Sequence, residues 1–172
     1  FMDIITGVNQ DTEILYQDED IVLFNDKFGV SVHGEHIDII PRVVINDVTE
    51  LTRDHLPMIQ QLYAVGLNHL KTRGFCQRYN VHPDDLEHWI TAGYNYRVSV
   101  KHLHLHMVLP PFKHEKVFQY PRFHGHKKIV SDLERFGRVI VYEEEPNDVE
   151  GEELYGHAMK NHRTLLERQT NE

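Results

Sequence analysis

The segment Lys101-His102-Leu103-His104-Leu105-His106-Met107-Val108 places histidine and a large apolar residue at alternate positions. In an extended strand, residues i, i+2 and i+4 share a face. The leucines therefore enter a core while three imidazoles line the other surface, about 7 Å apart at a rise of about 3.3 Å per residue. The alternation is strict enough to predict one long strand over Val98–Leu109, closed by Pro110-Pro111. Three rings on one face are not core filling, so a polar partner must meet them. Histidine, with an ordinary pKa of about 6.5, serves as base, nucleophile and metal ligand, and the chain carries 14 of them.

Three chemistries fit such a face. A solvated edge is the simplest, although histidine is a costly residue for mere solubility. A metal site is the second, because His-x-His on a strand turns two imidazoles towards one ion; no carboxylate or cysteine completes it at a characteristic spacing, though folding can bring Asp26, His36 and Asp38 near. In the third, one imidazole attacks phosphorus while its neighbours bind the oxygens.

Composition narrows the field. A length of 172 residues suits one compact domain with a short appendage, and 40% hydrophobic content supplies a core. With 27 acidic against 18 basic residues the formal charge is -9, which disfavours a module held to duplex DNA by counterion release. Cys76 is the single cysteine, so neither a disulfide framework nor a cysteine-pair zinc site is available. No leader and no apolar run near 18 residues is visible; the expectation is a soluble protein of a reducing compartment, cytoplasmic or nuclear, with no membrane partner.

Glu13–Tyr16 and Ile21–Phe24 read as a hairpin, and His36–Ile40 as a strand stopped by Pro41. The apolar steps Leu56, Ile59, Tyr63, Leu67 and Leu70 predict a long helix over 54–73, capped near Asp54 and ended by Gly74 at positive φ. Residues 75–97 read as an exposed insertion, with a strand at Arg78–Val81, a turn at His82–Asp85 and extended chain at Trp89–Thr91. A helix over Lys127–Phe136 stops at Gly137, and Arg138–Tyr142 reads as a last strand. An acidic linker, Glu143–Glu153, then leads to a peripheral helix over Leu154–Arg168.

His102-Leu103-His104-Leu105-His106-Met107-Val108 resembles the histidine triad motif, His-φ-His-φ-His-φ-φ. Around it, Asp20–Asp26 with Glu13–Tyr16 is similar to that superfamily's first hairpin, Asp26-Lys27-Phe28 to the Asp-Lys-Tyr of its aprataxin branch, and His36-Ile37-Asp38-Ile39-Ile40-Pro41-Arg42 to its His-to-Pro strand. Gly93-Tyr94 and Ser99 stand where aprataxin-like sequences carry Gly-Tyr and Ser. The chain is thus identified as resembling an aprataxin-like or Hint-like member over roughly residues 5–137.

The resemblance implies an α+β fold: a central antiparallel sheet, a long covering helix and a short C-terminal helix, in a nucleotide-binding domain over 1–137 followed by a C-terminal strand, acidic linker and helix over 138–172. It implies a homodimer, and a hydrolase or transferase acting on purine nucleoside monophosphate conjugates through a nucleotidyl-histidine, with no cofactor and no catalytic metal. By position His104 is the nucleophile, His102 orients it, and His106 and His36 contact phosphate or leaving group. Ser99 meets a phosphate oxygen or the leaving group, Asp26 holds the ribose hydroxyls, and Phe24, Ile5, Ile14 and Lys27 flank the base. Departures are Val44 in place of a second histidine after Pro41-Arg42, Val98 where glutamine is common, and Asn95 where aprataxin-like sequences have histidine. The aprataxin zinc finger cannot be built with one cysteine. Removal of adenylate from DNA ends remains a second reading, served by a patch of Lys27, Arg42, Arg97, Lys101, Lys113, Lys127 and Lys128; a non-catalytic nucleotide-binding scaffold is the third.

Overall fold

Strands rich in isoleucine, valine and phenylalanine pair into one six-stranded antiparallel sheet of order β1-β2-β3-β5-β4-β6. They are β1 (Ile14–Gln17), β2 (Ile21–Asn25), β3 (His36–Pro41), β4 (Thr91–Asn95), β5 (Leu105–Val108) and β6 (Phe123–Gly125). The helices are α1 (Leu56–Lys71), α2 (Phe75–Tyr79), α3 (His126–Phe136) and α4 (Val149–Thr170). The computed structural model describes residues 12–98, 100–114, 118, 122–141 and 149–170. Among them no helix is long and apolar enough to cross a membrane.

Alternation sorts the sheet into two faces. Leu23, Ile37, Ile39, Tyr94, Leu105 and Met107 point one way and form a single core with Ile59, Leu62 and Leu70 of α1 and Ile129 and Leu133 of α3. The opposite face carries two apolar patches. One joins Val22, Phe24 and Ile40 with Ile14. The other joins Val108 and Phe123 with Val30, Phe112, Phe118 and, from α4, Ala158 and Met159. His36, Asp38 and His106 interrupt this face as buried polar residues. The register aligns them: Phe24 pairs with Asp38, Asp38 with His106, His106 with Gly93, and Gly93 with Gly125. The outer edge of β4 is thereby taken by β6 of the same chain.

Several sequence expectations change. The predicted strand over 98–109 shrinks to Leu105–Val108, and His102 and His104 lie on irregular chain before it, because the partner β3 ladder ends at the Ile39–Leu105 pair. The long helix stops at Lys71 with Thr72 as its cap, whose N–H reaches His69 and Leu70. Gly74 has φ -72° and opens α2. Arg78–Val81 is not a strand: α2 runs to Tyr79 and Asn80 closes it at φ 51°. Nor is residues 75–90 an exposed insertion, since Phe75, Tyr79, Leu86, Trp89 and Ile90 join the main core; their spacing served a short helix and a 3-10 turn, Pro83–His88, too brief to show a period.

The helix ended by Gly137 is as expected, with φ 71° and its N–H on Leu133 O. Of the strand expected next, Arg138 makes one bridge to Thr52, while Val139 and Val141 are buried without a ladder; Tyr142 and the linker to Asp148 lie outside the described residues. α4 begins five residues earlier than expected and is not peripheral: Ala158, Met159, Asn161, His162 and Leu165 are buried. His162 Nδ1 accepts the Phe112 N–H at 2.9 Å. Lys128, expected on a basic surface, is 5% exposed and bonded to Asp132 and Ile140 O.

Candidate active site

β3 brings His36 and Asp38 to the open face as i and i+2, with Ile37 and Ile39 turned to the core. β5 sets His106 directly opposite Asp38, and the residue after β2's end, Asp26, closes the group. Asp38 Oδ1 is 2.7 Å from His106 Nδ1. His36 Nε2 is 3.1 Å from His106 Nδ1 and 3.7 and 3.8 Å from Asp26 and Asp38. Asp26 Oδ2 lies 3.8 Å from His106 Nδ1, while its Oδ1 accepts the Phe28 N–H at 2.6 Å. On the other side of the ring, the Asn95 carboxamide is 2.9 Å from His106 Nε2. The His104 ring stands nearly perpendicular to that of His106, 4.6 Å between centroids.

Burial splits the three site imidazoles into two kinds. It pushes His104 down to about 4, aided by the positive His106 beside it, and His36 down to about 3. His106 is equally desolvated, but the charge of Asp38, its hydrogen bond and the charge of Asp26 together outweigh burial and raise the imidazole above its ordinary value. Asp38 is correspondingly held low, the His106 imidazolium overcoming the cost of burying the carboxylate. Asp26 is pushed up to about 6, by desolvation first and then by the Asp38 carboxylate. Burial thus favours the neutral ring at His104 and His36, whereas the neighbouring carboxylates favour the protonated ring at His106.

Asp26, His36, Asp38 and His106 each present an N or O atom, all within 4.8 Å of one another. Spacing alone would admit a divalent cation. The tautomer opposes it: His36 Nδ1 accepts the Val30 N–H at 3.2 Å, so the neutral ring carries its proton on Nε2, the atom that faces the carboxylates. His106 Nδ1 lies 3.1 Å from that Nε2 and 2.7 Å from Asp38 Oδ1.

His104 is held differently. Its Nδ1 is 2.7 Å from the His102 carbonyl oxygen, to which it donates, leaving the lone pair of the neutral ring on Nε2. His102 turns away from the cluster and its Nε2 donates to Pro41 O at 2.7 Å. Of the other expected site residues, Phe24 and Ile14 come together in the apolar patch beside Asp38. Lys27 is exposed at the rim. Ile5 and Ser99 lie outside the described residues. Asp38 entered the sequence reading only as a would-be metal ligand, and Asn95 only as a departure. The signal for Asp38 was available: a carboxylate at i+2 from His36 in a strand otherwise isoleucine must share the face of that histidine.

Residues 1–119 match the family model described as scavenger mRNA decapping enzyme C-term binding. Adenosine 5'-monophosphoramidase HINT3 of Xenopus tropicalis is 34% identical over 100 residues, 57% of this chain and 58% of that protein. The chain therefore spans little more than half the length of this curated relative. Among solved structures, the aprataxin ortholog Hnt3 from Schizosaccharomyces pombe superposes with a TM-score of 0.57 at 19% identity, covering 92% of both chains. Hnt3 in complex with DNA and guanosine gives 0.54 at 18% identity, covering 92% of this chain and 95% of that one. At these identities the structures speak for the fold. With the motif, the α+β sheet and the family match in agreement, the chain belongs to the scavenger mRNA decapping enzyme C-term binding family, as an aprataxin-like and Hint-like member of the histidine triad superfamily.

Proposed function

We propose that the chain is a nucleotidyl hydrolase that releases a purine nucleoside monophosphate from a conjugate by way of a covalent bond to Nε2 of His104. The observation that carries this reading is the state of His104. Its Nδ1–H is fixed on the His102 carbonyl and its ring is held neutral to about pH 4, so an unprotonated nitrogen is available at neutral pH, as a nucleophile requires. His102 would act through its backbone, whose carbonyl orients the attacking ring.

In the first step the His104 Nε2 lone pair forms a bond to phosphorus, and the bond to the leaving group breaks with its electron pair. The leaving atom takes the proton of His106. In the second, water attacks phosphorus, gives a proton back to His106 and displaces neutral His104. The imidazolium also offsets charge on the phosphoryl oxygens, as His36 does by donating Nε2–H. Phe24 and Ile14 supply an apolar seat for the base, with Ile5 and Lys27 assigned beside it by motif position. The remaining lone pairs of Asp26 accept from ribose hydroxyls, and Ser99 is assigned to the phosphate by position.

Hydrolysis of an adenosine 5'-phosphoramidate and of a 5'-adenylated nicked duplex, compared at physiological salt, tests the reading. Turnover of the first and little of the second is expected, because the net charge is -9 and Lys128 is withdrawn into an ion pair with Asp132. Preference for the duplex would establish the DNA-end reading instead, and AMP binding with turnover of neither substrate would leave a nucleotide-binding scaffold.

The pH dependence follows from the two ionisations. His104 must be neutral, so kcat/KM rises as pH increases through about 4. His106 must be protonated, so the rate falls on the alkaline side, above the ordinary histidine range. A profile on an amine conjugate measures both limbs; a sharp acid limb near 6.5 would show that the nucleophile is not desolvated as the structure has it.

A further inference from the structure

We infer that His162, on the C-terminal helix α4, is a positioning residue for the active site: by accepting the Phe112 N–H it fixes the chain after β5 against the chain before β3, and through Val30 it sets the ring of His36. The kinetic part of the inference rests on the hydrolase reading above; the structural part does not.

Packing alone does not call for a histidine at this position. On the face that α4 turns to the sheet, Ala158 and Met159 join the apolar patch of Val30, Val108 and Phe112, and His162 follows one turn later, 5% exposed. Its ring lies flat on Phe112, 5.6 Å between centroids and 16° between planes, a contact that an apolar ring would make as well. What the imidazole adds is an acceptor: Nδ1 takes the buried Phe112 N–H at 2.9 Å. A buried backbone donor left without a partner is costly, and the carbonyls in the middle of a helix are already bonded within it. A side chain must therefore supply the lone pair.

From Phe112 the contacts run without a gap to the site. Phe112 pairs with Ser31 in an antiparallel bridge. On either side of that pair the Val32 N–H donates to Pro111 O at 2.9 Å and the Lys113 N–H to Val30 O at 2.7 Å, while Lys113 Nζ reaches Gly29 O at 2.9 Å. Val30 is thus gripped at both ends: its carbonyl is held by Lys113, and its own N–H donates to His36 Nδ1 at 3.2 Å. The same segment bears on His36 electrostatically, since burial first and then charges that include Lys113 favour its neutral ring.

The consequence for His36 is a choice of tautomer. With the Val30 N–H on Nδ1, the single proton of the neutral ring stays on Nε2, the atom that faces the site. When Val30 withdraws, either nitrogen can carry that proton, and the donor towards a phosphoryl oxygen is present only part of the time. A row of contacts does not by itself prove coupling. The decisive observation is whether the effect of His162 disappears once His36 is gone.

The test uses the full chain and two variants that divide the roles of the ring. His162→Phe keeps the stack on Phe112 and removes the acceptor; His162→Asn gives up the stack and keeps an acceptor, its Oδ1 standing near the place of Nδ1. On an AMP phosphoramidate, His162→Phe is expected to lower kcat/KM about 10-fold, a tenth of what a full ~1 Å misplacement of a reacting group can cost, with the loss mainly in kcat. His162→Asn should stay within about 3-fold of wild type. In a His36→Ala background, His162→Phe should cost no more than about 2-fold further. Imidazole nitrogen shifts follow the tautomer directly: His36 should be wholly Nε2–H in the wild type and His162→Asn, and mixed in His162→Phe. Undiminished turnover in His162→Phe, or the same further loss with His36 absent, would overturn the inference and leave the hydrolase reading intact. A wild-type chain inactive on the phosphoramidate would remove that reading, and the nitrogen shifts would then decide the positioning alone. Should His162→Phe fail to fold, the wild type still answers, because a proton on Nδ1 of neutral His162 or of neutral His36 would overturn the inference.

Discussion

Replacing His104 by alanine is expected to lower kcat on an AMP phosphoramidate about 10,000-fold or more, with the fold and AMP affinity retained. The size follows from what the side chain does. Removing a nucleophile abolishes the covalent route and leaves only what binding and charge stabilisation give, a loss of that order or larger in enzymes that work by covalent intermediates. The fold should survive because the ring lies on the sheet face away from the main core, with its Nδ1 bonded to the His102 carbonyl two residues away. His104→Asn, which keeps a donor for that carbonyl but offers no nucleophilic nitrogen, should be as inactive as the alanine variant. Thermal melting and AMP titration alongside the kinetics check both halves: an inactive variant that no longer binds AMP would point to collapse of the site, and an active one would move the nucleophile elsewhere.

The second large effect is structural and falls on the same row of the sheet. Gly93 pairs with His106 on one side and Gly125 on the other, and a Cβ there would run into the His124 carbonyl oxygen and the Phe123 ring. Backbone cannot yield as a flexible side chain does. Gly93→Val is expected to cost about 3 kcal/mol, the upper range for overpacking, read as a lower urea midpoint. Because the strain pries β6 from β4, where Asn95 is anchored, activity should fall as well. A Gly93→Val protein with unchanged midpoint would contradict the close β4–β6 packing.

How far the chain could be read from sequence divides along physical lines. The hairpin, the β3 run ending at Pro41, the helix of period 3.6 and the stop at Gly137 were legible because each is a local pattern with a local cause. The His-to-Leu alternation placed Leu103 and Leu105 in the core and His104 and His106 on the other side, but His102, on irregular chain before the ladder, turns away to Pro41 O, since β5 can extend only as far as a partner strand accompanies it. Phe75–Ile90 was misread because burial of Trp89, Tyr79 and Leu86 depends on where α1 and α4 pass, which no short window reveals. β6 went unread for a related reason: three residues around His124 have no period to show. In the site, the histidine alternation of 102–106 was legible from spacing and His36 and Asp26 from the motif resemblance, whereas the opposite pKa shifts of His104 and His106 were not. Those arise from Asp38, one cross-strand register away, and register is a property of the folded sheet.

The central claim is that phosphorus becomes bonded to His104, and the most direct measurement is mass spectrometry of the wild-type chain stopped by denaturation at alkaline pH during turnover of an AMP phosphoramidate. The account predicts an added adenylyl mass on the peptide containing His102–Val108, localised to His104 by fragmentation and missing from His104→Asn. Continued turnover with the adduct on another residue, or with no adduct under conditions that preserve phosphohistidine, would contradict it.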